Sequence, residues 1–162
     1  MQSRIDFTKV SPDAVKAMFG LQAYVNRSGL EHSLLELVKM RASQVNGCAF
    51  CIDMHSKDAR AAGETEQRLY ALNAWRETPF YTPRERAALA WTETITLIGE
   101  GHAPDAAYAE VREHFSESEV VDLTLAIVAI NGWNRLSIAF RTPVGSYVAG
   151  RPAMPAATAR AA

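Results

Sequence analysis

The sequence predicts a single domain built from α-helices. Apolar residues recur at helical spacing in several segments, helix-starting and helix-ending residues bracket those segments, and almost no stretch alternates as a β-strand would. The chain has 162 residues, of which 48% are apolar and 22% are charged, an ordinary composition for a globular domain. A chain of this length can bury one hydrophobic core.

Three helices are predicted before residue 64. Ser11 is a suitable N-cap for the first, and Pro12 follows at the first helical position. The second occupies residues 30–46, where leucine and valine side chains share one face, and it ends at Gly47, a typical C-terminal cap. The third begins near Cys48 and runs through the stretch CIDMHSKDARAAG to its terminal glycine.

Four more helices are predicted in the rest of the chain. Thr82 and Glu85 form a capping box at the start of one, with a proline at its first position. Ser116 and Glu119 form a second capping box, ahead of a long segment that is apolar on most faces. Shorter helices are predicted over residues 65–75 and 104–115.

The predicted architecture is an all-α domain of about six to eight helices over residues 1–148. From Arg141 onward, proline and glycine interrupt the helical pattern, and the segment PAMPAATARAA has no periodicity. We therefore expect residues 149–162 to form a flexible C-terminal tail.

Charge and hydropathy restrict the class of protein. The 17 Lys and Arg against 18 Asp and Glu give a net charge of −1, which lacks the basic surplus of a nucleic-acid-binding protein. The longest uncharged apolar run, LTLAIVAINGW, is shorter than the roughly 20 residues of a membrane span. The first ten residues contain no apolar signal-peptide region. We expect a soluble cytoplasmic protein that binds neither nucleic acid nor membrane.

The chain holds two cysteines, Cys48 and Cys51, with His55 following on the same predicted helix. Three kinds of site fit this pattern. A zinc site would need His55 as third ligand and Asp53 or Glu36 as fourth, an uncommon zinc spacing. A structural disulfide would close a very short loop and is rare in a reducing cytosol. A redox-active dithiol fits both the spacing and the compartment, and we favour it.

The three side chains fall on one face of the predicted helix. At about 100° per residue, Cys48, Cys51 and His55 share an arc of roughly 60°. Because Cβ atoms tilt toward the helix N-terminus, the imidazole is aimed toward Cys51. Cys48 lies at the helix start, where free N–H groups and the helix dipole favour a thiolate. An adjacent base and a helix N-terminus are two ways to activate a cysteine nucleophile.

The preceding helix offers Glu36 as a group that would orient the imidazole. A tight turn at Asn46 and Gly47 would fold Glu36 back alongside His55. A base acts better when a third group orients it, so Glu36 joins His55 and the two cysteines as a candidate catalytic residue.

Glu36, Cys48, Cys51 and His55 follow one another in the frame E-x11-C-x2-C-x3-H. This frame and its surroundings, RASQVNGCAFCIDMHSKDARAAGE, resemble the alkyl hydroperoxidase D (AhpD)-like branch of the carboxymuconolactone decarboxylase superfamily. The later stretches ERAALAWTE and INGWNRL are also similar to that branch. The resemblance covers roughly residues 5–148.

The resemblance implies an all-helical fold, assembly into homo-oligomers and a peroxide-reducing dithiol used in antioxidant defence. Cys51 would attack the peroxide and become a sulfenic acid. Cys48 would protonate the leaving alkoxide and then condense with the sulfenic acid to a disulfide. His55, with Glu36 behind it, would relay protons. No metal or bound cofactor takes part in this scheme.

The resemblance also implies an external reductant for the disulfide. We expect a dithiol carried by a lipoyl-bearing or thioredoxin-like partner. One position departs from the family's best-known member, which has a histidine where this chain has Phe50. One element of the proton relay is therefore missing, which affects both the efficiency of peroxide reduction and the identity of the reductant.

Two other functions are compatible with the sequence. A decarboxylase or lactone-processing enzyme is implied by the superfamily name, although such relatives typically lack the cysteine pair. A non-catalytic thiol redox sensor would keep Cys48 and Cys51 but would not need Glu36 and His55.

Overall fold

The computed structural model of the protein describes residues 2–150. Over that range the backbone forms nine α-helices, one 3₁₀ turn and no β-strand, which confirms the predicted all-α fold. The predicted tail, residues 149–162, lies outside the described residues from residue 151 onward. The 3₁₀ turn, Leu72–Glu77, follows α5 directly. The helices are α1 (Phe7–Val10), α2 (Pro12–Val25), α3 (His32–Asn46), α4 (Ala49–Ala61), α5 (Glu66–Ala71), α6 (Pro83–Thr96), α7 (Ile98–Gly101), α8 (Asp105–Arg112) and α9 (Glu117–Phe140).

Both predicted capping boxes are present. The Thr82 hydroxyl accepts the N–H of Glu85 at 3.2 Å, and the Glu85 carboxylate accepts the N–H of Thr82 at 2.8 Å. Ser116 and Glu119 make the same reciprocal pair at the start of α9, with distances of 3.3 Å and 2.8 Å. Each box satisfies two backbone donors that a helix N-terminus leaves free, and this fixes where α6 and α9 begin.

Two predicted helices are divided in the structure. The Arg86 guanidinium donates to the backbone oxygens of Trp75 at 2.9 Å and Thr78 at 3.1 Å. These carbonyls are thus satisfied from α6, and the helix predicted over residues 65–75 tightens into the 3₁₀ turn. The next predicted helix divides at Leu97 into α6 and α7. This division and the short α1 bring the count above the predicted six to eight.

The central helix is α3, which packs against α4, α6 and α9. A small cluster of buried side chains, Ala42, Cys48, Cys51 and Ile130, lies where α3, α4 and α9 meet. The two cysteines are thereby part of the interior rather than of a surface loop. The main apolar cluster fills the space between α2, α3, α6, α8 and α9; its members include Val25, Leu34, Val38, Trp91, Val111, Phe115, Leu123 and Ile127.

Helix α9 is long and apolar enough, by length and composition, to cross a membrane. It has 24 residues, and its most apolar 18-residue window has a mean hydropathy of 1.3. Leu123, Ile127 and Ile130 of this helix are almost fully buried against the neighbouring helices. A core helix of a globular domain has the same length and composition, so α9 is weak evidence for a membrane span.

Candidate active site

A tight turn joins α3 to α4 and sets the direction in which α4 runs. Gly47 has φ 67°, a left-handed conformation that glycine adopts without steric cost. The N–H of Cys48 donates back to the carbonyl of Ser43 at 2.9 Å, which closes the end of α3. Cys48 is then the N-cap residue of α4, so Cys51 and His55 follow on the first two turns of a helix that lies along α3.

The two cysteines are free thiols, each only 1% exposed. The Sγ of Cys51 lies 4.0 Å from Oγ of Ser137 on α9. Two half-buried aromatic side chains, Phe50 and Trp133, pack against the cluster that contains the thiols. Because both sulfurs are covered, a reactant can reach them only when one of the covering side chains moves.

The two thiols differ in acidity. A hydrogen bond from the Cys51 thiol lowers the pKa of Cys48 from 9.0 to about 7, against the effect of burial. The first N–H groups of α4 and the amide of Asn134 act in the same direction. The same thiol–thiol hydrogen bond, together with burial, raises the pKa of Cys51. In the reduced pair Cys48 is therefore the more acidic thiol, and Cys51 is the one that keeps its proton.

Glu36 and His55 form a buried pair across the interface of α3 and α4. Oε2 of Glu36 lies 2.9 Å from Nδ1 of His55, and both side chains are less than one-tenth exposed. The other carboxylate oxygen accepts a hydrogen bond from Nζ of Lys39 at 2.8 Å. The turn at Gly47 thus brings together the two residues that the sequence could only place on successive helices.

The charge of Glu36 is held by its neighbours. Burial by itself raises the pKa of this carboxyl, but the hydrogen bond and charge of His55, followed by those of Lys39, lower it to about 2. Glu36 is therefore a carboxylate at neutral pH, and it fixes the imidazole through Nδ1. Nε2 of His55 makes no hydrogen bond to either cysteine within residues 2–150, so the imidazole and the thiols are neighbouring groups without a direct link.

A second acidic side chain, that of Asp58, approaches the same pair. Ligand atoms of Glu36, His55 and Asp58 lie within 4.8 Å of one another, a spacing that a metal ion can bridge. The Lys39 ammonium already occupies Glu36, however, and the Tyr147 hydroxyl donates to Asp58 at 2.7 Å. A divalent cation would face an ammonium at close range, which opposes its binding. The set also contains neither cysteine, unlike the zinc site weighed from the sequence.

The last described segment of the chain crosses α4. The N–H of Gly145 donates to Asp53 at 3.3 Å, and Nζ of Lys57 donates to the Tyr147 carbonyl at 3.1 Å. Burial, followed by the hydrogen bond to Asp58, raises the pKa of Tyr147. Asp53, a candidate zinc ligand on sequence grounds, also pairs with Lys57 at 2.8 Å and so belongs to this crossing.

Two openings flank the site. A cavity of about 150 Å³ is bordered by Glu36, Ser33, Ala59 and Gly63, and it gives the carboxylate a route to solvent. A larger groove of about 710 Å³ lies on another face of α4. Its walls are mainly apolar, and its lining residues include Met40, Ile52, Leu69, Tyr70, Tyr147 and Val148.

Four polar residues of the site were missed in the sequence: Lys39, Asp58, Asn134 and Ser137. A polar residue at a helix position that the apolar pattern assigns to the core is the signal that points to them, because buried polar groups need partners. Asn134 lies in the stretch INGWNRL, which resembles the family. The pattern marks such a residue as buried without showing what it faces.

The fold and the site together define an all-helical protein with a buried Cys-x-x-Cys pair beside a carboxylate–imidazole pair. The chain belongs to the carboxymuconolactone decarboxylase family, whose sequence profile matches residues 12–94, and it is an AhpD-like member of that superfamily. The uncharacterized protein YdfG of Bacillus subtilis strain 168 is 50% identical over 139 residues, which are 86% of this chain and 95% of that protein.

Solved structures share the fold. A protein of unknown function from Agrobacterium tumefaciens, proposed to be the antioxidant defence protein AhpD, is 48% identical and matches with a TM-score of 0.87. That match covers 90% of this chain and 100% of the other. The debrominase Bmp8 matches with a TM-score of 0.77 at 21% identity, over 86% of this chain and 75% of its own. At that identity the likeness shows the fold alone.

Proposed function

We propose that this protein is a dithiol peroxidase that reduces organic hydroperoxides through Cys48 and Cys51. The observation that carries the proposal is the pair of buried free thiols at the start of α4, where hydrogen bonding between them lowers the pKa of Cys48 to about 7. The pair can therefore carry one negative charge near neutral pH, and Cys51 becomes the attacking thiolate when its proton moves to Cys48. The relative from Agrobacterium tumefaciens, itself proposed to be an antioxidant defence protein, supports the same chemistry.

The reaction begins with transfer of a proton from Cys51 to Cys48. The Cys51 thiolate attacks the outer oxygen of the hydroperoxide, the O–O bond breaks, and Cys51 becomes a sulfenic acid. The departing alkoxide takes the proton from Cys48 and leaves as an alcohol. The Cys48 thiolate then attacks the Cys51 sulfur, a disulfide forms, and the departing hydroxide takes a proton to become water.

This order of attack uses the difference between the two thiols. Nucleophilicity falls as thiol pKa falls, so a Cys51 thiolate, once formed, is the stronger nucleophile. Cys48, whose thiolate is the more stable, serves as the base that accepts the Cys51 proton and as the acid that returns it to the alkoxide. The same hydrogen bond that raises the pKa of Cys51 is the path along which its proton leaves.

His55 and Glu36 supply the last proton and recover it from solvent. The Nδ1 of the imidazole is held by Glu36, which leaves Nε2 as the atom that exchanges protons. The cavity of about 150 Å³ beside Glu36 has room for several water molecules, each needing about 30 Å³. A proton reaches the leaving hydroxide through water or a small movement of the ring.

The disulfide is returned to the dithiol by an external dithiol reductant. A lipoyl group on a partner protein is the first candidate and a thioredoxin-like protein the second, because a dithiol reduces a disulfide by two successive exchanges. In the cell we place this cycle in the cytoplasm.

The test is a single turnover with the fully reduced protein and an organic hydroperoxide such as cumene hydroperoxide. We expect each chain to form one alcohol, lose both free thiols and gain an internal Cys48–Cys51 disulfide, identified by mass spectrometry of the peptide that contains both cysteines. Formation of disulfides only between chains, or thiol loss without alcohol, would refute the proposal.

Adding dihydrolipoamide and then thioredoxin with its reductase shows which reductant gives repeated turnover. The other two functions predict different results. A redox sensor forms the disulfide without turnover under either reductant. A decarboxylase or lactone-processing enzyme keeps its activity when both cysteines are replaced by serine.

A further inference from the structure

Helix α9 carries a polar stripe that faces the thiols. Asn131, Asn134 and Ser137 recur every three residues in a helix that is otherwise largely apolar, and all three are at least nine-tenths buried. Asn134 is fully buried. A buried carboxamide is costly unless its donors and acceptor are used, so the partners of Asn134 indicate its role.

The amide of Asn134 has a fixed orientation. Its Oδ1 accepts a hydrogen bond from Nδ2 of Asn46 at 2.9 Å, which places its own Nδ2 on the opposite side. That Nδ2 donates one hydrogen to Oγ of Ser43 at 3.0 Å. Ser43 can accept it because its hydroxyl hydrogen goes to the Lys39 carbonyl at 2.7 Å. One hydrogen of the amide remains for the sulfurs.

Asn46 is itself held in place from α9. Its Nδ2 also donates to Oδ1 of Asn131 at 2.9 Å, and the same oxygen accepts from the Arg135 guanidinium at 2.8 Å. Nδ2 of Asn131 donates to Thr96 at 3.0 Å, which fixes the orientation of that amide as well. A chain of oriented amides thus runs from a cation at the surface to Asn134.

The amide of Asn134 lies beside the cysteine pair, because the Ser43 that accepts its hydrogen also accepts the N–H of Cys48 through its carbonyl at 2.9 Å. Hydrogen bonding from this amide lowers the pKa of both thiols. Neighbouring Ser137, one turn further along α9, has its hydroxyl 4.0 Å from the Cys51 sulfur. Within residues 2–150 no lysine, arginine or histidine donates a hydrogen bond to either sulfur, so neutral dipoles face the reacting atoms.

We propose that Asn134 is a positioning residue of the dithiol, whose amide, held by Asn46, donates a hydrogen bond to whichever sulfur carries the negative charge. It is suited to both steps because it lies beside both thiols and adds no competing charge. This role needs only the thiol pair; its consequence for peroxide reduction rests on the function proposed above.

The test measures thiol ionisation in the absence of peroxide. The rate of alkylation of the reduced, folded full chain by iodoacetamide is followed against pH, and the pH of half-maximal rate is compared between variants. Asn134→Ala should raise that pH by about 1 to 2, the effect of losing a hydrogen bond to a charged group. Asn46→Ala releases the Asn134 amide without removing it, so this variant should raise the half-maximal pH less.

The control is Thr92→Val. Thr92 is as fully buried as Asn134, and its hydroxyl donates to the Ala88 carbonyl at 2.7 Å within α6, away from the thiols. It should leave the half-maximal pH unchanged while lowering the unfolding temperature. If Asn134→Ala and Asn46→Ala behave like this control, the amide is structural only and the proposal is wrong.

If Asn134→Ala does not fold, Asn46→Ala decides the question by the same measurement. Failure of this proposal and failure of the peroxidase function are separable. A shifted half-maximal pH in a protein that consumes no hydroperoxide would refute the enzyme and leave the role of Asn134. An unshifted half-maximal pH in the Asn134 and Asn46 variants, with normal peroxide turnover by the wild-type protein, would refute the role of Asn134 and leave the peroxidase function.

Discussion

The two ends of the site on α4 are equally buried but differently built. At the first turn of α4, neutral groups surround Cys48 and Cys51: the amide of Asn134, the hydroxyl of Ser137 and the free backbone N–H groups. One turn further on, His55 faces the carboxylate of Glu36, whose other oxygen holds the Lys39 ammonium. Among residues 2–150, the first end has dipoles and no ion pair at the reacting sulfurs, and the second has ion pairs and no thiol.

The difference separates two tasks within one small helical protein: ionising a thiol and holding an imidazole in one orientation. A thiolate stabilised by dipoles remains reactive, because dipoles shift its pKa without fixing the charge in a tight ion pair. A buried carboxylate needs a cation to remain ionised, and Lys39 supplies it. The charged end can therefore hold an imidazole firmly in one orientation, while the neutral end leaves the proton free to move between two sulfurs.

The largest effect is expected from the cysteines themselves. Cys51→Ser should abolish sulfenic acid formation, because a hydroxyl does not reduce a peroxide. Cys48→Ser should permit one attack and leave a sulfenic acid at Cys51 that dimedone traps, since no second thiol resolves it. Mass spectrometry after dimedone labelling reads both results. Label on Cys48 in the Cys51→Ser protein would reverse the two roles and show that the helix N-terminus alone selects the nucleophile.

Replacement of His55 tests whether the Glu36–His55 pair takes part in proton transfer during oxidation of the thiols. His55→Ala should lower the single-turnover rate by about 10²–10⁴, the usual effect of losing general acid–base catalysis. Stopped-flow measurement of thiol oxidation checks the rate. The same variant should leave the pH of half-maximal Cys48 alkylation near 7, because the imidazole makes no hydrogen bond to the thiols within the described residues. If the His55→Ala protein is oxidised as fast as the wild-type protein, His55 takes no part in proton transfer.

Replacement of Glu36 should affect stability more than the thiols. Glu36→Gln leaves the Lys39 ammonium buried without its counterion, a change that typically costs about 3–5 kcal/mol. Denaturant unfolding measures the loss. The matched double variant Glu36→Gln with Lys39→Met, which removes both charges, should recover most of it. A double variant no more stable than the single one would mean that the ion pair is not the source of the effect.

Acid should weaken the charged end first. The pKa of Glu36 is about 2 in the folded protein against 4.5 for a free side chain, so its stabilising effect is complete above pH 4.5 and is lost as pH falls toward 2. The difference corresponds to about 3 kcal/mol. Unfolding free energy measured across this range should fall more steeply for the wild-type protein than for the double variant. Parallel curves would contradict the assignment.

The smallest effect on chemistry is expected from the surface of α9. Val121 and Val128, two turns apart, are about half exposed and form an apolar stripe with the partly buried Leu125. The predicted homo-oligomer would use this stripe, and Val128→Lys should weaken it by placing a charge there. Light scattering at micromolar concentration measures the mass. A wild-type protein that is monomeric throughout, or a variant of unchanged mass, would contradict the prediction.

Much of the fold followed from local signals. The capping boxes at Thr82 and Ser116, and the glycine that ends α3, act over three or four residues, so the sequence shows them directly. The 3₁₀ turn after α5 could not be predicted in this way, because Arg86 from α6 satisfies its carbonyls. The residues of the site differ in the same way: those close together in the sequence could be predicted, and those brought together by packing could not.

By itself, the sequence determined that Cys48, Cys51 and His55 share one face of a helix, because helical geometry fixes neighbours three and four residues apart. It placed Glu36 on the helix before them but could not give the contact. Only the tertiary structure decided that Lys39 neutralises Glu36 and that Asn134, 91 residues from its partner Ser43, faces the thiols. Periodicity shows which face of a helix is buried; the packing of α3, α4 and α9 decides what that face contacts.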